Sequence, residues 1–119
     1  MTTTSIVGLG DVLLVTLQGQ LSDRQALTLQ EDLTTRVTDT GARGVLIDVS
    51  GLELVDSFLA RTLHDIAEAC ALLAARTVVV GMRPEVAITL VELGLTLTGL
   101  ETALSVAAGL SLLGSSGPR

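Results

Sequence analysis

Residues 46–61 read LIDVSGLELVDSFLAR, and this stretch decides the fold. Its beginning belongs to a short, almost continuously apolar run, VLIDV from Val45 to Val49, which is typical of a central strand in a parallel sheet. A loop follows, and then Leu59, Leu63 and Ile66 recur at steps of four and three, so they line one face of a helix. A buried strand that passes directly into such a helix predicts an α/β protein.

Two strands and a helix are predicted before this stretch. Ser5 to Leu9 and Val12 to Gln18 form a β-hairpin closed by a Gly-Asp turn. The sequence SDRQ, from Ser22 to Gln25, has the form of a capping box that begins a helix. That helix has one apolar stripe, made by Ala26, Leu29, Leu33 and Val37, and it ends near Gly41.

Two further strands and two helices are predicted after the stretch. TVVVG, from Thr77 to Gly81, is a parallel strand, and the helix after it begins at Pro84 and ends at Leu93-Gly94. Leu100 to Leu104 is a short strand. Ser105 caps a last helix that runs to about Leu113 and is weakened by Gly109.

The predicted order is therefore β-β-α-β-α-β-α-β-α. We expect a mixed β-sheet of about five strands with about four α-helices, parallel beyond the first hairpin. At 119 residues the chain has room for one domain, which we place at residues 5–113. Residues 114–119 (GSSGPR) are expected to form a disordered C-terminal tail.

Composition argues against several classes of partner. The formal charge is -6, no lysine is present, and Phe58 is the only aromatic residue. Nucleic-acid binding is not expected, because it depends on basic clusters and on stacking. No apolar run reaches membrane-spanning length and no signal peptide is indicated, so we expect a soluble cytoplasmic protein without membrane contact.

Catalytic and cofactor sites are not expected either. His64 is the only histidine and falls on the polar side of its predicted helix, without a triad pattern around it. The single cysteine, Cys70, is expected to be a small buried hydrophobe. Neither a phosphate-binding loop nor a metal-ligand spacing is present, so we expect no enzyme activity, no cofactor and no metal.

The loop before Ser57 is the candidate site. It lies beyond the carboxyl end of a strand, where open α/β sheets gather functional groups. Asp56 or Ser57 is expected to cap the following helix, because Ser and Asp are common cap residues, and Ser57 is our choice for that role. A helix start also favours negative charge, so a phosphoryl group on Ser57 would be stabilised there.

The chain resembles a STAS domain, the fold of the bacterial anti-sigma-factor antagonists. The likeness rests on LIDVSGLELVDSFLAR, on TVVVG at residues 77–81 and on VELG at residues 91–94. In that family a partner kinase phosphorylates the serine after the aspartate. The resemblance therefore implies that Ser57 is a phosphorylation site, and that Asp48 and Asp56 flank it and shape its loop.

The residues after Ser57 narrow the resemblance. Sporulation-type antagonists usually continue Asp-Ser-Ser-Gly-Leu-Gly, whereas this chain continues DSFLAR from Asp56 to Arg61. That variant is similar to the RsbS-like scaffold subunits of the stressosome. VAITLVELG at residues 86–94 and LETAL at residues 100–104 are similar to them as well.

The resemblance implies a non-enzymatic stress-signalling scaffold. Such proteins assemble with RsbR-type STAS proteins and sequester an RsbT-type serine kinase, so we expect a homo-oligomer or a large hetero-oligomer. Phosphorylation of the serine releases the kinase, and an RsbX-type phosphatase resets it. Two alternatives stay open: a free anti-anti-sigma factor that binds an anti-sigma kinase directly, and a nucleotide or small-ligand-binding STAS domain.

Two residues near Ser57 are candidates for partner contact. Phe58 lies one position off the apolar stripe, so it is either a residue at the core edge, which we favour slightly, or an exposed anchor for a partner. Arg61 lies one helical turn after Ser57 and could approach a phosphoserine, or it could simply be a solvated residue.

Overall fold

The computed structural model describes residues 3–92 and 100–115. The element order is the predicted one, with five strands and four helices in the described part of the chain. The elements are β1 (Thr3–Leu9), β2 (Val12–Gly19), α1 (Asp23–Thr40), β3 (Gly44–Leu52), α2 (Ser57–Leu72), β4 (Arg76–Val80), α3 (Pro84–Glu92), β5 (Glu101–Ala103) and α4 (Val106–Ser115).

The five strands form one sheet in the order β1-β2-β3-β4-β5. β1 and β2 are antiparallel, and every other neighbouring pair is parallel. β3 is therefore the central strand. Its buried residues point alternately to the two faces of the sheet, as expected for a strand that is covered on both. The predicted α/β class and mixed sheet are confirmed.

Each face of the sheet has its own apolar core. On one face the odd-numbered residues of β2 and β3 pack with α1, α2 and Leu90 of α3, and this larger core includes Val15, Leu33, Ile47 and Ile66. On the other face a smaller core joins the sheet to α4. Its buried members are Val12, Leu46, Val78, Val80 and Leu113.

The start of α1 shows how local sequence sets a helix boundary. The Ser22 hydroxyl accepts a hydrogen bond from the Gln25 amide at 3.1 Å, and the Gln25 side-chain oxygen accepts one from the Ser22 amide at 2.8 Å. This is the predicted capping box, which pairs two amides that a helix start leaves without partners. The helix ends before Gly41, also as predicted.

β3 is longer than predicted, because it ends at Leu52 rather than Val49. The extra residues pair with the end of β2 after a shift in register, so that Gly51 lies opposite Gln18 and Leu52 opposite Gly19. The segment predicted as a loop is thus partly strand. Its reason is tertiary, since hydrogen bonds to a neighbouring strand override the loop signal of Ser and Gly.

The C-terminal elements also differ from the prediction in their bounds. β5 is shorter, at Glu101–Ala103, and α4 continues to Ser115. Gly114 is therefore helical, although it was assigned to the disordered tail, because Leu113 before it is fully buried and anchors the last turn. The rest of that tail, and the predicted end of α3 at Leu93-Gly94, lie outside the described residues.

Gly109 has a packing role that the sequence did not reveal. A Cβ atom at this position would lie 2.7 Å from Leu46 Cδ2 and 2.9 Å from Val80 Cγ1. The glycine costs helix propensity, but it lets α4 approach the sheet closely enough to bury its core residues. Within the described ranges, no helix is long and apolar enough to cross a membrane.

Candidate functional site

The segment that leads from β3 to α2 is anchored by apolar residues and by backbone hydrogen bonds. Leu52 and Val55 are buried, whereas Glu53 and Leu54 between them are exposed. The Glu53 amide donates to the Gly19 carbonyl at 3.0 Å, which ties the segment to the end of β2. These contacts present residues 53–57 at the carboxyl edge of the parallel strands.

Asp56 is the residue that caps α2. Its backbone is extended, with φ -91° and ψ 178°, and its carboxylate accepts a hydrogen bond from the Leu59 amide at 2.8 Å. Of the two alternatives that the sequence left open, the structure selects Asp56. The choice of Ser57 as the cap is wrong, because Ser57 is already the first residue of the helix.

Ser57 is exposed, and its hydroxyl forms no hydrogen bond with any residue in the described part of the chain. Its position is nevertheless a polar one. The first amides of a helix lack intrahelical partners, and the aligned peptide dipoles add partial positive charge there. Of these first amides, the Asp56 carboxylate accepts a hydrogen bond only from that of Leu59. The first turn of α2 can therefore accommodate a phosphoryl group on Ser57.

Asp48 serves a different local role from Asp56. Its carboxylate accepts hydrogen bonds from the Ser50 amide at 2.9 Å and the Ser50 hydroxyl at 2.7 Å. Alternation along β3 puts it on the sheet face of Leu46, which is the face that α4 covers. Asp48 thus stabilises the end of β3 through its two hydrogen bonds with Ser50, and it forms none with Ser57.

Gly81 makes room for this arrangement. It has a φ of +76°, which disfavours residues with a side chain, and a Cβ atom there would lie 2.8 Å from the Ser50 Cβ and 3.1 Å from Asp48 Oδ1. The end of β4 therefore fits against the Asp48-Ser50 turn only with glycine. The sequence predicts Gly81 as the end of a strand, but it does not reveal the close approach to Asp48 and Ser50.

Phe58 and Arg61 lie on the outside of α2. Phe58 is 36% exposed and is not part of either apolar core, so the favoured assignment to the core edge is not what the structure shows. Leu54, just before the helix, is also exposed. Arg61 is exposed, one turn beyond Ser57 on the same side of the helix, and within the described ranges it forms no ion pair.

Arg83 is a residue of the site that sequence reasoning missed. Its Nη2 donates to the Leu52 carbonyl at 2.5 Å, so it links the start of α3 to the end of β3. A small cavity of about 250 Å³ lies here, lined by Leu54, Val55 and Val86 together with Glu53, Arg83 and Glu85. The sequence carries no pattern that pairs Arg83 with a carbonyl 31 residues away. It marks Arg83 only as part of a predicted helix start.

Two other groups were considered for chemistry. Cys70 is fully buried, as predicted, and burial raises the pKa of its thiol, which keeps it protonated and unreactive. His64 is half-buried on the polar side of α2, with Nδ1 3.8 Å from the Asp65 carboxylate and 3.9 Å from that of Glu68. These three could share an ion, but such surface carboxylates ordinarily only solvate a helix.

Comparison with known proteins gives the family. The model of the STAS domain matches residues 3–108. The chain belongs to the STAS domain family. The site described above thus lies at the sheet edge of a STAS fold, with Ser57 at the first turn of α2.

The relatives point to the stressosome. An RsbS variant from Moorella thermoacetica is 36% identical, with a TM-score of 0.83 over 94% of this chain and 95% of that one. A chain in a solved structure of the stressosome, described as a signal integration and transduction hub, is 34% identical. Its TM-score is 0.75 over 93% of this chain and 96% of that one. The RsbT co-antagonist protein RsbRD of Bacillus subtilis (strain 168) is 30% identical over 80% of this chain.

This STAS protein is therefore of the stressosome type, related to RsbS and to the RsbR co-antagonists, and it shares its fold with the anti-sigma-factor antagonists. The chain spans about a third of the length of the curated co-antagonist it matches, 34% for RsbRD. The solved structures that it resembles include an anti-sigma-factor antagonist as well as stressosome proteins.

Proposed function

We propose that this chain is a non-enzymatic stress-signalling scaffold of the cytoplasm. It co-assembles with RsbR-type STAS proteins into a stressosome, sequesters an RsbT-type serine kinase, and releases the kinase when Ser57 is phosphorylated. An RsbX-type phosphatase removes the phosphate. The observation that carries the proposal is the exposed hydroxyl of Ser57, which has no hydrogen-bond partner in the described structure because Asp56 performs the capping.

A hydroxyl in this position suits a reversible modification. Transfer of the γ-phosphoryl group of ATP to Ser57 Oγ, with ADP as the other product, breaks no hydrogen bond that holds the fold. The new charge lies at a helix start, where peptide dipoles favour it. Modification would therefore change the surface without unfolding the domain.

The surroundings of Ser57 support a binding surface that charge can switch. Leu54 and Phe58 are exposed apolar side chains on either side of Asp56 and Ser57. Phosphorylation adds up to about two negative charges beside Asp56, on a chain whose formal charge is already -6. An apolar or acidic partner surface would then bind less tightly, and each ~1.4 kcal/mol of lost binding free energy lowers the affinity tenfold.

The modification site is tested with an RsbT-type kinase and ATP. We expect mass spectrometry to find one phosphate, on Ser57, and none on the Ser57→Ala variant. Ser22→Ala is the matched control, since Ser22 also stands at a helix start but has a hydrogen-bonded hydroxyl. Equal incorporation into wild-type protein and Ser57→Ala would show that Ser57 is not the site.

Kinase capture is tested by the affinity of the same kinase for surface variants. We expect Ser57→Asp and Phe58→Ala to weaken binding, and Leu72→Ala to leave it unchanged, because Leu72 is 89% exposed at the far end of α2. Gel filtration with an RsbR-type protein separates the scaffold from a free anti-anti-sigma factor. A very large complex supports the scaffold, whereas failure to form one together with tight binding to an anti-sigma kinase supports the alternative.

A further inference from the structure

The peptide group between Leu52 and Glu53 is hydrogen-bonded on both of its sides, at the point where the chain leaves β3. Its N–H, on Glu53, donates to the Gly19 carbonyl at 3.0 Å. Its C=O, on Leu52, accepts from Arg83 Nη2 at 2.5 Å. The N–H and C=O of a trans peptide point in opposite directions. The end of β2 and the start of α3 therefore hold this one peptide group from opposite sides.

The main chain of Arg83 is itself held in place by the start of α3. Arg83 precedes Pro84, the first residue of the helix, whose ring suits that position. The Arg83 carbonyl accepts hydrogen bonds from the Val86 amide at 3.0 Å and the Ala87 amide at 3.1 Å. The backbone of Arg83 is thus tied to the helix, while its side chain reaches back to the end of β3.

Gly81, two residues before Arg83, fixes the course of the chain between β4 and α3. Its φ of +76° lies in the left-handed region that favours glycine, and its amide donates to the Ala103 carbonyl at 3.2 Å. Met82 then packs against the larger apolar core. The Arg83 guanidinium therefore extends from a backbone that is anchored on both sides of it.

The segment between this peptide group and α2 has few other restraints. Residues 53–56 have no regular secondary structure, and of these four only Val55 is buried. A rotation of the Leu52–Glu53 peptide would therefore be passed along the segment. It would change how Asp56 meets the Leu59 amide, and with it the position of the residue that follows the cap.

We propose that Arg83 is a positioning residue for the phosphorylation of Ser57. By holding the Leu52–Glu53 peptide, it keeps the segment in the conformation that presents the Ser57 hydroxyl to a kinase. The inference rests on the proposed function, in which the γ-phosphoryl group of ATP passes to Ser57 Oγ and ADP and the hydroxyl proton are released. Hydrogen bonds from a charged donor are among the stronger ones, so a single guanidinium can have this effect.

Arg43 offers a matched control in the same chain. Its Nη1 donates to the Leu113 carbonyl at 2.7 Å, so it also joins two distant elements through a backbone carbonyl. It directly precedes β3, at the opposite end of that strand from Leu52. Loss of the Arg43 side chain therefore removes a comparable contact and leaves the start of α2 untouched.

The kinetics of phosphorylation by an RsbT-type kinase and ATP test the role of Arg83. We expect Arg83→Met, which keeps an unbranched side chain but has no donor, to raise the KM for the protein substrate about tenfold, with kcat nearly unchanged. The reason is that a chain whose competent conformation is only partly populated binds more weakly by that fraction. Arg83→Lys keeps a charged donor and should recover part of the loss. Arg43→Met should match wild-type protein.

Hydrogen exchange at the Glu53 amide supplies a readout that needs no kinase. We expect this amide to exchange about tenfold faster in Arg83→Met than in wild-type protein or Arg43→Met, because the peptide group is then held on one side only. The Gly41 amide, bonded to the Val37 carbonyl at 2.9 Å, is the internal reference and should exchange equally in all three proteins. A change confined to Glu53 separates local release from a general loss of stability.

The outcomes distinguish this inference from the proposed function. A wild-type chain that the kinase does not phosphorylate at Ser57 would overturn the proposed function, and the role of Arg83 in it. Phosphorylated wild-type protein together with an unchanged KM for Arg83→Met would overturn the positioning role alone. Unchanged exchange of the Glu53 amide in Arg83→Met, or equal effects of Arg83→Met and Arg43→Met, would do the same.

Discussion

The starts of α1 and α2 use the same two residue types in opposite order. α1 begins with Ser22-Asp23, where the serine is the cap and its hydroxyl accepts from the Gln25 amide at 3.1 Å. α2 begins with Asp56-Ser57, where the aspartate is the cap and its carboxylate accepts from the Leu59 amide at 2.8 Å. The Ser22 hydroxyl therefore takes part in a hydrogen bond that stabilises a helix, whereas the Ser57 hydroxyl does not.

The residue three positions after the cap completes the difference. At α1 it is Gln25, whose side chain accepts a hydrogen bond from the Ser22 amide and closes the capping box. At α2 it is Leu59, a buried residue that cannot do so. α2 therefore has the weaker cap, and its serine is the one whose hydroxyl does not take part in capping. A helix start can hold a hydroxyl that is free of capping when the residue before it is the cap.

Exchanging the pair at α2 should produce the largest effect. In the double variant Asp56→Ser with Ser57→Asp, the hydroxyl moves to the cap position and becomes hydrogen-bonded. We expect phosphorylation by an RsbT-type kinase to fall by about a hundredfold, because a displacement of about 1 Å can cost that much. The free energy of unfolding should change by less than about 1 kcal/mol, since Ser and Asp cap similarly.

The reverse exchange at α1 is the control for that experiment. Ser22→Asp with Asp23→Ser frees a hydroxyl at a helix start without the surroundings of Ser57. We expect no phosphate to be added at position 23. Phosphorylation of the exchanged α2 at the wild-type rate would mean that the order of the two residues does not decide which serine is available.

Removing the α2 cap should produce the next largest effect. We expect Asp56→Ala to lower the free energy of unfolding by about 1 kcal/mol, because the Leu59 amide loses its partner. Ser57→Ala should change it by less than about 0.5 kcal/mol. Urea unfolding followed by far-UV circular dichroism measures both, since the chain has no Trp or Tyr. A larger loss for Ser57→Ala would assign Ser57 a structural role.

Removing the α1 cap should lower the free energy of unfolding by a similar amount, to which both Ser22 and Gln25 contribute. We expect Ser22→Ala to cost about 1 kcal/mol, and Gln25→Ala less, because the two residues bond each other's amides. In a double-mutant cycle the two losses should differ from additivity by about 0.5 kcal/mol. Strict additivity would show that the two hydrogen bonds form independently.

Adding charge at Ser57 should have the smallest effect on stability. We expect Ser57→Asp to raise the free energy of unfolding by about 0.3 to 1 kcal/mol at low salt, through attraction to the helix start. The gain should disappear in about 1 M salt, whereas the neutral variant Ser57→Asn should show no salt-dependent gain. Melting temperatures at both salt concentrations measure it. A clear loss of stability at low salt would contradict the view that a phosphate is accommodated here.

Much of this fold could be predicted from residues that act locally. The order of strands and helices, the capping box at Ser22 and the apolar stripe that buries Leu33 all follow from spacing and residue type, and the structure contains them. The start of a helix near Ser57, after β3, was also predicted correctly. These features depend on neighbours within about four residues, which a linear sequence displays directly.

What the sequence did not reveal depends on partners that are distant along the chain. The extension of β3 to Leu52 requires the shifted register with β2, and Arg83 reaches a carbonyl 31 residues away. Gly109 reads as a helix weakness until the side chains of Leu46 and Val80 are seen against it. Such contacts carry no local pattern, because only the folded chain brings the two sides together.

The sequence by itself determined the α/β order of elements and the presence of a serine with an aspartate at the start of α2. The tertiary structure decided which of the two caps the helix, and with it that the Ser57 hydroxyl is exposed and without a hydrogen-bond partner in the described structure. The physical reason is that Ser and Asp have similar capping preferences. Only the path of the chain from buried Val55 into α2 sets which residue reaches the Leu59 amide.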